Sequence, residues 1–134
     1  MKVDGSCHCG YVTYTAEVDP DAALICHCAD CQTLSASAYR TVLPTSDKDF
    51  RLLTGEPKTY VKTAESGRKR AQTFCPECGA AIYATSTDAG PKMLNLRIGT
   101  LEQRALLAPK RQIWRRSALA WAQDLRDLPA NEKS

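Results

Sequence analysis

Cys75-Pro76-Glu77-Cys78-Gly79 and Cys7-His8-Cys9-Gly10 are two thiol pairs, each followed directly by glycine and placed far apart in a chain of 134 residues. Glycine after a thiol ligand lets the backbone take a positive φ, which curls amides toward the sulfurs and stabilises their charge. Pro76 pre-sets the turn of the second pair. Two such halves make a four-thiolate tetrahedron, the closed arrangement of structural zinc, so Cys7, Cys9, Cys75 and Cys78 are its expected ligands. Closing so long a loop makes metal-binding free energy part of the folding free energy. The competing reading is that these four are buried thiols or transient disulfides, but the flanking proline and glycines favour metal.

The other three of the seven cysteines lie in Cys26-His27-Cys28-Ala29-Asp30-Cys31. Three protein ligands with an exchangeable fourth position is the general pattern of catalytic zinc, as four protein ligands is that of structural zinc. Cys26, Cys28 and Cys31 are therefore assigned to chemistry. In an extended segment Cys26 and Cys28 point one way and His27 the other, while Cys31 returns after a turn. Two alternatives remain open at this stage. His27 or another side chain could close the cluster into a second structural zinc, or the three thiolates could hold an iron–sulfur cluster, for which a further spaced cysteine is lacking. His8 reads as a solvent-facing residue of its turn.

An odd cysteine count, grouped in this way, fits poorly with a secreted disulfide framework. No N-terminal run resembles a signal peptide and no stretch approaches the length of a membrane span, so a cytoplasmic protein with reduced thiols and no membrane partner is expected. With 43% apolar and 25% charged residues the composition is ordinary and globular, and the length suits one zinc-binding domain over residues 1–134. A formal charge of +3 is too small to indicate nucleic-acid binding by itself.

The pattern along the chain is mainly β, with short helical segments. Residues 11–18 alternate so that Val12, Tyr14, Ala16 and Val18 share a face, and Asp19-Pro20-Asp21 stops the strand. Ala22 to Ile25 lead into the middle cysteines, residues 29–37 could form a short helix, and Tyr39–Leu43 reads as a strand closed by Pro44. A helical turn is expected at Asp47-Lys48-Asp49-Phe50. Phe50–Leu53, Thr59–Thr63, Lys69–Phe74, Ala81–Thr85 and Met93–Ile98 are strand candidates in small antiparallel hairpins, separated by turns such as Gly55-Glu56-Pro57 and Glu65-Ser66-Gly67. In the last third, Ser117 as N-cap with Leu119, Ala122 and Leu125 at helical spacing suggests a helix.

The order CHCG, then CHCxDC, then FCPxCG, then Arg97-Ile98-Gly99-Thr100-Leu101 resembles the glutathione-dependent formaldehyde-activating enzyme family, which includes centromere protein V. The likeness extends to Gly5-Ser6-Cys7, Tyr39, Phe50-Arg51-Leu52-Leu53-Thr54-Gly55-Glu56-Pro57, Ser66-Gly67 and Ile113-Trp114. It implies a small antiparallel β-tent fold. It also implies a structural zinc at Cys7, Cys9, Cys75 and Cys78 and a second zinc at Cys26, Cys28 and Cys31, two per chain. The implied activity is condensation of formaldehyde with glutathione to S-hydroxymethylglutathione, carbon–sulfur lyase chemistry with glutathione as cosubstrate. The chain departs from the family pattern at Gln112, where members often carry His, at Ala120, where they often carry Pro, and at Ala36, where glycine is common.

A trithiolate zinc is electron-rich, which favours activation of sulfur over activation of water and so a small thiol and an aldehyde as partners over a hydrolytic substrate. Glutathione is anionic, which makes Arg40, Arg68, Lys69, Arg70 and Arg97 candidates for holding its ends. The reading from a different class is a non-enzymatic zinc-stabilised module that binds protein or nucleic acid. Its support is the basic segment Arg104, Lys110, Arg111, Arg115 and Arg116 around Trp114, although Leu106, Leu107 and Ile113 interleave there as in a packed edge.

Overall fold

A computed structural model describes residues 1–134 as a mainly β protein of two sheets with one α-helix and several short 3-10 turns. The smaller sheet has the order β1-β2-β5, formed by Lys2–Ser6, Thr13–Glu17 and Phe50–Thr54, all antiparallel. Its strands bury alternate residues, as half-covered strands do: Val3 from β1, and Tyr14 and Ala16 from β2. Val12 and Val18, which flank β2, continue that face.

The larger sheet has seven strands in the order β10-β3-β4-β9-β8-β7-β6. In chain order these are β3 (Leu24–Cys26), β4 (Arg40–Ser46), β6 (Lys58–Thr63), β7 (Lys69–Phe74), β8 (Ala81–Ser86), β9 (Met93–Arg97) and β10 (Arg111–Ile113). Every pairing is antiparallel except β10 with β3, which is parallel. The helix α1, Ala29–Ser35, leaves the end of β3.

The core lies between the sheets. Leu43, Leu94 and Leu96 of the large sheet meet Val3, Tyr14 and Ala16 of the small one, and Ile98, Leu101 and Leu107 close the end. Tyr14, Phe50 and Tyr83 form a run of aromatic contacts across the seam, with centroids 5.2 and 5.3 Å apart. Thr45 Oγ1 donates to the Glu17 carbonyl at 2.6 Å and ties β4 to the end of β2. The opposite face of the large sheet carries a second, smaller apolar cluster of Leu24, Cys26 and Val42, with Cys28, Cys31 and Ile113 against it. No helix is long and apolar enough to cross a membrane.

Four local expectations need correction. Pro44 does not close β4 but lies within it, opposite Asn95; β3 reaches only to Val42, so one side of β4 has no strand partner there and a missing N–H breaks no ladder on that side. Gly55-Glu56-Pro57 does not turn a hairpin: β5 pairs with β2 and β6 with β7, so this segment carries the chain from one sheet to the other. Ser117 starts no helix; Arg115–Ser117 and Ala120–Ala122 are single 3-10 turns, and Leu125, at 56% exposure, has no core to face. The expected helix over 29–37 ends at Ser35, and Ala36 takes a left-handed conformation with φ 50°, its N–H bonded to the Gln32 and Thr33 carbonyls.

Two positions show how tightly the backbone is specified. A Cβ on Gly5 would sit 2.1 Å from the ring of Tyr14, which is buried and whose hydroxyl bonds Thr100 Oγ1 at 2.7 Å. Gly5→Ala is therefore expected to lower stability by at least about 2 kcal/mol. Ala36→Gly should raise it by about 0.5–1 kcal/mol, because relief of left-handed strain exceeds the added chain entropy of the unfolded state. Denaturant midpoints measure both; an unchanged midpoint for Gly5→Ala would mean that the Tyr14 ring yields freely.

Candidate metal centres

The first thiol pair lies in the turn from β1 to β2. There Cys7 N–H donates to the Val12 carbonyl at 3.0 Å, Val12 N–H donates to Cys7 Sγ at 3.2 Å, and Gly10 has φ +82°. The second pair lies in the turn from β7 to β8, closed by Cys75 N–H to the Ala80 carbonyl and Gly79 N–H to the Cys75 carbonyl, both at 2.9 Å, with Gly79 at φ +79°. These two turns come from different sheets and meet so that the sulfurs of Cys7, Cys9, Cys75 and Cys78 all lie within 4.8 Å of one another.

Cys7 Sγ is 3.6 Å from Cys9 Sγ, which is 3.8 Å from Cys75 Sγ. Four sulfurs at zinc-bond length in a tetrahedron stand about 3.8 Å apart, so the donor set fits such an ion. Crowded thiols without a cation divide their protons unevenly. Cys78 is drawn down to about 6, first by the Ala80 amide. Cys9 is pushed up to about 12: the Tyr11 amide pulls the other way and is outweighed by desolvation and the neighbouring thiols. A divalent cation would remove that conflict by letting all four ionise.

The second cluster stands at the junction of β3 and α1. Cys26 ends the strand, Cys28 caps the helix and accepts the Cys31 N–H on its sulfur at 3.3 Å, and Cys31 sits in the first turn. Their three sulfurs lie within 4.8 Å of one another, with no fourth Cys, His or carboxylate in the group. The hydrogen bond between Cys26 and Cys31 lowers the first thiol and raises the second, and burial raises Cys28. These donors too suit a soft divalent ion.

His27 is buried but turned away: its Nε2 donates to Gln112 Oε1 at 2.7 Å, and its ring meets Tyr39 edge-on. Gln112 thus partners His27. All seven thiols are free of disulfides.

Register places a cleft beside this cluster. Cys26 is opposite Arg40, Val42 opposite Arg97, Asn95 opposite Ala84, Ala84 opposite Gln72, and Gln72 opposite Tyr60. Residues two apart on a strand share a face, so Cys26, Arg40, Arg97, Gln72 and Arg70 lie on the face turned away from the core. The cleft, about 310 Å³, has Cys26, Cys31, Arg70, Gln72 and Arg97 in its wall, with Ile113 and Trp114 at one side. A larger groove of about 730 Å³ between α1 and the C-terminal segment is lined by Ala36, Leu119 and Trp121 and contains no thiol.

Of the five cations considered for glutathione, Arg70 and Arg97 reach the cleft and Arg40 adjoins it. Arg68 pairs with Asp88 at 3.3 Å on the surface, and Lys69 is exposed. Burial, and then the like charge of Arg40, draws Arg97 down to about 9. Sequence reading passed over Gln72, whose Oε1 accepts from Arg97 Nη2 at 2.9 Å and Arg40 Nη1 at 3.5 Å; its spacing of two from Arg70 within a strand was the available signal. It also passed over Gln32, whose Nε2 donates to the His27 and Ser117 carbonyls and fixes α1 against the chain beyond β10. Two cations of the basic segment are engaged locally: Arg116 lies 4.9 Å over the Trp114 ring and 3.5 Å from Glu65, and Arg104 bonds the Leu101 carbonyl.

A family model described as glutathione-dependent formaldehyde-activating enzyme matches residues 2–117. Among solved structures, the crystal structure of a Rhodobacter sphaeroides protein superposes with a TM-score of 0.61 at 21% identity, covering 84% of this chain and 99% of that one, which shows a shared fold. No curated protein matches the chain.

The two clusters should respond differently to loss of a thiol. Cys75→Ser is expected to remove one metal per chain and about 3 kcal/mol or more of stability, because that cluster joins the sheets. Cys28→Ser should also remove one metal but cost no more than about 1 kcal/mol, since β3 and α1 are held by strand pairing and by Gln32. Elemental analysis with thermal unfolding reads both; equal destabilisation would contradict the division of roles.

Proposed function

The chain belongs to the glutathione-dependent formaldehyde-activating enzyme family, and on that basis we propose that it is a zinc-dependent carbon–sulfur lyase-type enzyme that joins glutathione to a small aldehyde such as formaldehyde, or cleaves the adduct. The observation that carries the reading is a group of three thiols beside a cleft with no fourth protein donor. In this reading Cys7, Cys9, Cys75 and Cys78 hold a structural zinc, Cys26, Cys28 and Cys31 a catalytic one, and residues 1–134 act as one domain. A cytoplasmic setting suits thiols that must stay reduced.

The reaction adds S–H across C=O. Sulfur bonds the carbonyl carbon, the thiol proton ends on oxygen, and no oxidant or reductant is required. Zinc held by the three thiolates would supply the positive centre that ionises and positions the substrate sulfur. The protein's own residues do the rest. Arg70 and Arg97 give the cleft a positive wall that attracts anionic glutathione. The positive charge of Lys62 is met by Asp30 at 2.6 Å, so it adds little to that wall. Ile113 and Trp114 give the cleft an apolar side. Gln32 fixes the backbone between Cys26 and Cys28 by bonding the His27 carbonyl at 2.8 Å, which keeps the three thiols convergent.

Glutathione and formaldehyde combine spontaneously, so the test is exchange at equilibrium: magnetisation transfer between free and adduct formaldehyde, with and without protein. Acceleration over background is expected, with a loss of more than about 100-fold in Cys28→Ser. Equal exchange rates for wild type, Cys28→Ser and buffer, with several thiols, would exclude this function.

A further inference from the structure

Arg40 and Arg97 are two guanidinium groups buried side by side with only 6% and 8% of their surface exposed, and neither has a carboxylate within ion-pair distance. They share one neutral acceptor, the side-chain oxygen of Gln72. Arg40 Nη2 and Arg97 Nε have no hydrogen-bond partner at all. Buried charge without a counter-charge is costly, and buried guanidinium N–H groups are almost always bonded, so this pair is built to receive an anion.

Three thiolates with a divalent ion carry one net negative charge, which two guanidiniums over-compensate. The cleft wall adds Arg70, while its acidic residues are already engaged, Asp30 by Lys62 and Glu65 by Arg116. The site therefore has room for more than a substrate thiolate.

Distance selects which further anion fits. Arg40 stands directly across the β3–β4 ladder from Cys26, and Arg97, one strand further on β9 and across from Val42, shares the cleft wall with Cys26 and Cys31. Cys26 and Arg40, so paired, are neighbours at about 5 Å between Cβ atoms, and Arg97 joins Arg40 through their common acceptor Gln72. Glutathione carries its carboxylates several bonds from its sulfur, on flexible arms that can reach well away from the thiols. A carboxylate bonded directly to the reacting carbonyl carbon has no such freedom and must lie beside the sulfurs, where the guanidinium pair stands.

We propose that Arg40, Arg97 and Gln72 form a carboxylate-binding site that admits an aldehyde or ketone bearing an adjacent carboxylate, a 2-oxo acid, as the carbonyl partner. The inference rests on the thiol–carbonyl reading above and names its substrate class. Arg97, with its planar fork of donors and its place in the cleft wall, makes the main contact, and Gln72 holds the fork in plane.

Binding tests this without turnover. The metal-loaded full chain is titrated with oxamate, an unreactive 2-oxo acid analogue, while the Arg97 Nε–H resonance and the backbone amides are followed by NMR. Acetamide, which lacks the carboxylate, and S-methylglutathione, which lacks the thiol, are titrated in parallel. Saturable oxamate binding that shifts Arg97 and is displaced by glyoxylate is expected, with little response to acetamide. Arg97→Gln should weaken it roughly 10- to 100-fold with metal content unchanged.

The proposal fails if oxamate does not bind the wild-type protein or binds Arg97→Gln equally. It fails also if S-methylglutathione displaces oxamate and shifts Arg97 in the same way, since the pair would then serve glutathione's own carboxylate. Should Arg97→Gln not fold, the wild-type titrations decide alone. Because no thiol substrate is present, an oxamate-binding protein inactive with every thiol and carbonyl tried would leave the carboxylate site standing and overturn the thiol–carbonyl reading with the substrate role built on it, and an active one that ignores oxamate would overturn only this proposal.

Discussion

Four sulfurs from two turns converge where the two sheets meet. Cys7 and Cys9 belong to the β1–β2 turn of the small sheet, Cys75 and Cys78 to the β7–β8 turn of the large one, and the four meet within 4.8 Å. The core between the sheets is modest, one cluster of 15 buried residues in which Tyr14 is the only buried aromatic side chain. A three-stranded sheet of five-residue strands is marginal by itself and gains its stability from what it is held against. The converging thiols stand at one end of that contact, and the aromatic run Tyr14–Phe50–Tyr83 and the Thr45–Glu17 hydrogen bond extend it across the seam.

The strands of the large sheet serve two surfaces at once. On β9, Leu94 and Leu96 enter the core while Asn95 and Arg97 face the cleft; on β4, Leu43 faces the core while Val42 and Arg40 stand on the cleft side. A slip of one residue in the β4–β9 register would put guanidinium groups in the core and leucines in the cleft, so packing and site geometry are fixed by the same alternation. The register shift between Thr73 and Phe74 leaves Ile82 without an opposite residue, and Ile82 joins the core beside the turn that carries Cys75 and Cys78.

Much of this was legible in the chain, and the exceptions share a cause. The thiol pairs announce themselves because ligand spacing and the following glycines are local signals, and the strands do so through alternation over five or six residues. Local signals also misled: Gly55-Glu56-Pro57 has the chemistry of a tight turn whether its flanking strands pair with each other or with different sheets, and Ser117 with its spaced apolar residues looks like a helix until burial is consulted. Pro44 within β4 is tolerated only because of where β3 ends, and the parallel pairing of β10 with β3 joins segments far apart in sequence. The same limit hid the cleft. Arg40, Arg68, Lys69, Arg70 and Arg97 are all cations in the sequence, and only their places in and beside the strands separate the three at the cleft from the two that face water.

The nearness of cationic and thiol groups on one face of the sheet has an energetic reason. A guanidinium buried alone would be strongly destabilising, and a trithiolate carries more negative charge than a divalent ion neutralises. Placed on neighbouring strands of one face, each offsets part of the other's desolvation, and Gln72 supplies a neutral acceptor bonded by both guanidinium groups. The compensation is incomplete, since Arg40 Nη2 and Arg97 Nε remain unbonded. Folding stability alone would have replaced such a pair with apolar side chains of similar volume, as the neighbouring Leu24 and Val42 show is feasible on this face. The residual positive charge is therefore a property of the cleft, and whatever enters it beside the three thiols meets a wall already arranged for an anion.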